Sequence, residues 1–503
     1  MLIQKSNLLK ILILILAISA GVILRSTELL NHNYVFGFDQ GREYLVVREM
    51  VLNHKLRLIG SEIGSGSAGF TGIFHGPVFY YFLSLAYIFF NGDPYGGIVL
   101  MFIFGLATII FTFFLVGKLF GYLFGLFAAI LVSISPPLIS QSRFLWSPNP
   151  VSFFILLAFY FTYYINRGAK YIFFSSFFSG FIYNFELATA VPVSLGLALY
   201  CLFVLRFKKL KQYLYLIAGY VFSFSPMIIF DIKHNFQASR GLFNHFSNPK
   251  NNLIDIHKIL NSSKDIISSF TYSYSDTFPK QSLLPGWLII LFIFIVVVFM
   301  IYKESNKQLK YFILYLLILP LITFFVYLFF RIPVYVYYLA HLNLSIILLF
   351  SYGFFSSYKK RKFYFSLLFL LIGIISILQF IPFSINTFIK DYFDYGGDAK
   401  IKGRVDAIDY IYKDSKGEKF GLLVFSPPVY TYPYDYIVLW YGKNRYGYIP
   451  HKEKKGLFYL LMEKDPGKPW SYNGWLETVI KDGTIEKTEV LPSGLIVQKR
   501  IMH

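Results

Sequence analysis

The chain has 503 residues, of which 56 % are hydrophobic and only 15 % charged, and its mean hydropathy is +0.55. Soluble domains carry about 25 % charged residues, so the composition excludes an ordinary soluble protein and points to a polytopic α-helical membrane protein. The net charge of +20 does not indicate a nucleic-acid partner, because much of the excess sits in short loops between apolar runs, where it orients the chain in a bilayer.

The N-terminal stretch ILILILAISAGVIL follows Lys5 and Lys10. It resembles a signal peptide but reads as an uncleaved first helix, since many apolar runs come after it. Those runs lie at 8–24, 76–90, 96–116, 120–140, 150–165, 171–185, 187–205, 213–230, 286–302, 311–330, 334–356 and 364–385. The lone cysteine, Cys201, falls inside one of them and can form no intramolecular disulfide.

Basic loops face the cytoplasm. Arg167 with Lys170, RFKKLK (206–211), KESNKQLK (303–310) and KKRK (359–362) therefore lie inside. Alternation then puts the loops after residue 25, at 141–149, 184–187, 231–285 and 331–333, and all beyond 386, outside. An even number of spans must separate the loop after residue 25 from 141–149, yet the runs 76–90, 96–116 and 120–140 intervene. The first is shortest and sits between HGP and NGDP, so it is expected to lie along the outer face or re-enter. This gives about eleven spans, with thirteen as the upper alternative, the N-terminus inside and the C-terminus outside.

Beyond 386 the composition changes. A helical stretch near 402–413 precedes GLLVFSP (421–427), a Tyr-rich stretch (430–441), LFYLLME (457–463), and two alternating runs joined by LPSG, a hairpin signal. The reading is a transmembrane module, 1–385, with a large outer loop at 25–95, then a small extracytoplasmic α/β domain, 386–503. No P-loop or Rossmann fingerprint is present.

The chemistry-bearing residues gather in the outer loops. YVFGFDQGREYLVVRE (34–49) holds Asp39, Arg42 and Glu43. Asp39 reads either as a helix N-cap or as a general base. A Gly/Ser-rich loop then leads to His75-Gly76-Pro77, with the proline in the first turn of the short helix. SQSRFLWSPNPVSFF (140–154) offers Arg143, suited to bidentate phosphate contact, and Asn149. YNFELA (183–188) places Glu186 at a tight tip, where a solvated loop carboxylate is expected. FDIKHNFQASRG (230–241) clusters Asp231, Lys233, His234 and Arg240. Basic residues on the outer side run against the orientation rule, and an anionic ligand explains them. FRIPVYVYYLAHLNL (330–344) adds Arg331, Tyr338 and His341. A histidine inside a span faces protein or a water-filled cavity. His75, Asp231 and His234 are the candidates for a divalent metal, should one bind; no cofactor is otherwise indicated.

GFDQGREYLVVREM, HGPVFYYFLSLAYIFFNGDPYGG and SQSRFLWSPNPVSFF together resemble the superfamily C membrane glycosyltransferases, near the protein O-mannosyltransferase and lipid A aminoarabinose transferase branch. The layout matches over 1–385 and the motifs over 34–155. The resemblance implies an inverting transfer of a sugar from a polyprenyl-phosphate lipid to a hydroxyl of a glycan, lipid or protein, at the outer face of the plasma membrane. It places Asp39 at the family's early acidic position. Where many members carry Asp-Glu, this chain has Asp39-Gln40, leaving a single carboxylate in that motif. His75-Gly76 replaces a Glu-Lys pair, and Asn149 stands where an acid is common. Arg42, His75, Arg143, Lys233, His234, Arg240 and Arg331 are the expected phosphate or donor contacts. Glu43, Asn149, Glu186, Asp231, Tyr338 and His341 are expected around the acceptor or behind the first contacts. A polysaccharide ligase or polymerase and a lipid-sugar transporter are the rivals. The former would place its key basic residues in a late loop, the latter its charges near the midplane.

Overall fold

A computed structural model describes residues 2–63, 72–247, 256–275, 277–278, 286–330, 334–427 and 430–502. Arg331 and most of the Gly/Ser-rich loop before His75 lie outside the described residues.

Most of the chain is helical. Among the described residues six helices are long and apolar enough to cross a membrane: Tyr95–Phe120, Leu187–Val204, Leu210–Lys233, Lys307–Phe329, Val336–Lys359 and Phe363–Phe393. Shorter apolar helices include Tyr122–Ile134, Val151–Tyr163 and Gly286–Tyr302. The Val336–Lys359 helix is buried along nearly its whole length and forms the centre of the bundle. Where lipid is as apolar as Leu, helices gain contact by bringing backbones close at small residues. Ala169–Phe181 and Leu210–Lys233 pack this way, with Gly219 seated against the Phe173 carbonyl and Ser176, and Gly180 against Ser223.

The first helix, Leu2–Arg25, ends on a fully buried arginine. Arg25 donates to Ser142 Oγ and to the carbonyls of Gly21, Val132 and Ser133. A buried guanidinium so satisfied pins the first helix against the end of Tyr122–Ile134.

The 76–90 run forms the Val78–Phe89 helix of 12 residues, starting at Pro77 as its N-cap. At 1.5 Å per residue this spans about 18 Å, short of the roughly 30 Å hydrocarbon core. It packs between Phe38–Leu52 and Tyr95–Phe120. Two helices inside 231–285 have no counterpart in the apolar pattern: Gln237–Ser247 and the 20-residue Ile256–Ser275.

The last apolar helix runs unbroken through the composition change at 386 to Phe393. The C-terminal region then builds a four-stranded sheet from β1 (Gly421–Phe425), β2 (Gly456–Met462), β3 (Thr484–Val490) and β4 (Ile496–Met502), in the order β1-β2-β4-β3. β1 and β2 are parallel, and the remaining pairs are antiparallel. Such a parallel pair needs a crossover, supplied by Tyr432–Ile437 and the turns after it. Gly494, at φ +84°, closes the β3–β4 hairpin with Leu491 N–H donating to the Leu495 carbonyl.

This unit is bound tightly to the first loop. Phe36 N–H donates to the Ala399 carbonyl and Ile401 N–H to the Tyr34 carbonyl, so 34–36 and 399–401 pair as a short antiparallel bridge. Tyr436 donates its hydroxyl to the Gly92 carbonyl. The Tyr432–Ile437 helix crosses Phe38–Leu52 directly over Gly41, where a Cβ would meet Pro433 N and Tyr432 C at 2.5 Å. Both contacts are backbone, which cannot swing aside. Gly41→Ala is therefore expected to cost about 1–3 kcal/mol through overpacking and to loosen the C-terminal unit. Faster limited proteolysis between 394 and 400, with the remaining helices still protected, is the check; unchanged cleavage and unchanged thermal stability would refute the crossing.

Candidate functional site

The Phe38–Leu52 helix begins with the Gly37 N–H donating to the Gln40 Oε1 at 2.9 Å. Gln40 also donates to the Leu145 carbonyl at 2.6 Å. The residue after Asp39 thus does the capping and ties the helix to the 140–154 loop, while Asp39 sits inside the first turn and makes no cap. Its side chain keeps 37 % of its surface exposed and meets Arg42 Nη2 at 2.9 Å. The same Nη2 meets Glu43 Oε1 at 2.7 Å. Positions i, i+3 and i+4 share a helix face, so Asp39, Arg42 and Glu43 form one cluster. The Asp39-Gln40 motif supplies one carboxylate, and Glu43 adds a second acid one turn on.

Glu43 is buried, and desolvation raises its carboxyl above the usual range, against the pull of Arg42. Tyr80, from the short helix, lies beside both groups. Arg42 Nε is buried without a partner among the described residues, and the guanidinium lies 5.4 Å over the Phe38 ring. The cation at Asp39 is therefore Arg42.

The other expected cations are placed differently. Arg143 is buried in a bidentate bond to Glu28, at 2.8 and 2.6 Å, and also bonds Asp391 at 2.8 Å. It joins the first loop to the last apolar helix rather than presenting an open fork to a phosphate. Lys233 and Arg240 are exposed. Their segment touches the first loop through Phe230 on Phe74, ring centroids 5.7 Å apart. Protein packed around His75 pushes its imidazole down to about 4, and its Nδ1 lies 3.4 Å from the Tyr183 carbonyl. At neutral pH it offers a phosphate no charge.

The metal candidates do not meet. Asp231 accepts from the N–H groups of Ala238 and Ser239, capping the helix that follows. The His234 ring stacks on Phe230 at 4.0 Å. No group of three metal-ligating side chains exists among the described residues.

Glu186 is not a solvated tip. It is buried, caps Leu187–Leu199 through a bond from Ala188 N–H at 3.0 Å, and sits near Tyr327, Tyr337 and Tyr338. Burial raises its carboxyl from 4.5 to about 8. A raised carboxyl favours the fold while protonated, so this contribution is complete below about 4.5 and is lost as pH rises through about 8. Glu186→Gln should flatten the fall in melting temperature between pH 5 and 8.5 in detergent. An unaltered pH profile would show that Glu186 does not govern that fall.

His341 is fully buried, with Nε2 2.8 Å from Thr323 Oγ1. Tyr338 serves through its carbonyl, which accepts from Thr189 and Tyr327. Asn149 donates to the Phe144 carbonyl. It borders a cavity of about 650 Å³ whose walls include Val35, Phe144, Trp146, Tyr337, Phe383 and Lys400. Asp39 does not line this cavity.

The whole chain superposes on ArnT from Cupriavidus metallidurans bound to undecaprenyl phosphate, with a TM-score of 0.56 over 97 % of each chain at 10 % identity. The chain has the ArnT fold. The apo ArnT structure matches equally, at TM-score 0.56 and 10 % identity over 98 % of both chains. An Archaeoglobus fulgidus oligosaccharyltransferase solved with zinc and sulfate is more distant, with TM-score 0.48 and 14 % identity over 97 % of this chain and 72 % of that one. No family model and no curated protein sequence matches. The ArnT fold accounts for the multi-pass helical body, with the small C-terminal sheet within the matched length.

Proposed function

We propose that the chain is a membrane glycosyltransferase that moves a sugar from a polyprenyl-phosphate lipid to an acceptor hydroxyl, with the reaction at the extracytoplasmic face of the plasma membrane. The observation that carries this reading is the Asp39–Arg42–Glu43 cluster on one helix face, with Asp39 at its open end, in a chain with the fold of ArnT, which was crystallised with undecaprenyl phosphate bound. Asp39 is the base that takes the acceptor proton. Arg42, whose side chain is partly exposed beside Asp39, meets the phosphate as negative charge develops on it. Electrostatic stabilisation of this kind commonly contributes more to rate enhancement than any other effect. Glu43 and Tyr80 hold that guanidinium from behind. The donor is a phosphodiester, and breaking its anomeric C–O bond releases polyprenyl phosphate, a leaving group stable enough that no strong general acid is required. Attack opposite the phosphate inverts the anomeric carbon. Asn149 and the cavity bordered by Trp146 and Tyr337 offer room for the lipid-borne part of a substrate. Lys233 and Arg240, exposed at the edge, act at most in drawing an anionic lipid inward. The decisive experiment is transfer from a polyprenyl-phosphate sugar in membranes containing wild-type chain or Asp39→Asn.

A further inference from the structure

The Tyr-rich run of the C-terminal unit divides sharply by burial. Tyr434 and Tyr436 are buried, and each donates its hydroxyl, to Glu463 and to the Gly92 carbonyl. Tyr430, four residues before Tyr434, leaves 53 % of its surface exposed. Its ring stacks on Tyr432 at 5.1 Å and 15°, and both rings lean on Phe38, at 5.6 and 5.2 Å. Phe38 immediately precedes Asp39 and lies under the Arg42 guanidinium.

The shelf is held in place. The buried Glu463 accepts from Ser426 Oγ on one side of Tyr430 and from Tyr434 on the other, and pairs with Arg404 at 3.0 Å. Tyr430 is held by its stack on Tyr432 and Phe38 and leaves half its surface open beside a half-open carboxylate.

We propose that Phe38, Tyr432 and Tyr430 form a stacking platform for a pyranose ring of the acceptor, with Asp39 at the edge of the platform reaching its hydroxyls. This rests on the transferase reading and deepens it by making the acceptor a saccharide. A pyranose has an apolar C–H face and a polar rim. Aromatic faces take the first, and ionised side chains bond the second. Tyrosine provides a large contact at small conformational cost. The acceptor oxygen would be set beside Asp39 by the C-terminal unit rather than by the membrane body alone.

The test uses the full chain in nanodiscs of synthetic phosphatidylcholine and phosphatidylglycerol, free of glycolipid. Saturation-transfer NMR with methyl β-D-galactopyranoside and methyl α-D-mannopyranoside reads contact to ring C–H groups. At least one probe should receive saturation from wild type. Tyr430→Ala should weaken its binding about 3- to 10-fold, while Tyr430→Phe keeps it. Asp39→Asn should lose transfer and bind the probe more weakly while saturation still reaches the ring C–H groups, whereas Tyr430→Ala should lose that saturation, which separates failure of this platform from failure of the catalytic assignment. Addition of a polyprenyl-phosphate sugar should leave the probe bound. No saturation on wild type, equal saturation with Tyr430→Ala, or displacement of the probe by the donor lipid would each overturn the acceptor assignment.

Discussion

Asp39→Asn is expected to lower sugar transfer by about 10²–10⁴-fold, the range associated with loss of a positioned general base, at unchanged protein level. The amide keeps the shape of the side chain but cannot accept a proton from the acceptor hydroxyl. It also weakens the 2.9 Å pair with Arg42, so some loss of donor affinity accompanies the loss in turnover. Stability should change little, because the pair is partly exposed and such pairs contribute about 0–1 kcal/mol. The two acids are distinguishable. Glu43 is buried behind Arg42, and Glu43→Gln should mainly raise the KM for the donor, as the guanidinium loses its orientation. The readout is radiolabelled or mass-tagged transfer in isolated membranes, with the donor lipid varied. Retained turnover in Asp39→Asn would remove Asp39 as base, and a larger loss in Glu43→Gln would move the role one turn along the helix.

Much of the layout can be read from the chain because local physics dictates it. Long apolar runs must be helical in lipid, where no water satisfies the backbone. His75-Gly76-Pro77 announces the short helix because proline is at home in a first turn. Alternation and the Leu491–Leu495 turn announce the hairpin. What escapes depends on contacts between distant segments. Gly41 looks like an unhelpful residue in a helix until the backbone of Tyr432–Pro433 is laid over it. Arg143 looks like a free interfacial cation until Glu28 and Asp391 arrive from far along the chain. Glu186 looks like a solvated tip residue until the tyrosines of another helix cover it. The helices inside 231–285 carry few strongly apolar residues, so a search for membrane spans passes over them. Asp231 looks like a metal ligand only while its local role is overlooked: an acid ahead of a helix more often caps it, and here it does.

Arg143→Ala is expected to destabilise the fold by about 3–5 kcal/mol, the usual cost of removing one partner from a buried ion pair. Arg143 is the only cation that bonds both Glu28 and Asp391 among the described residues, and its loss would leave two carboxylates facing each other at the junction of the first loop and the last apolar helix. Arg143→Lys should recover only part of the loss, because an ammonium cannot make the bidentate contact at 2.8 and 2.6 Å. Arg143→Met with Glu28→Gln, which removes charge from both sides, should be more stable than Arg143→Ala alone. Thermal unfolding in detergent, followed by size-exclusion recovery of the monodisperse protein, ranks the variants. A phosphate-binding arginine would behave in the opposite way: its alanine variant would stay folded and lose donor affinity. The ion network predicts instead that activity and recovery fall together, and that the double variant restores both, since Arg143 acts by holding the loop that Gln40 uses to seat the Asp39 helix.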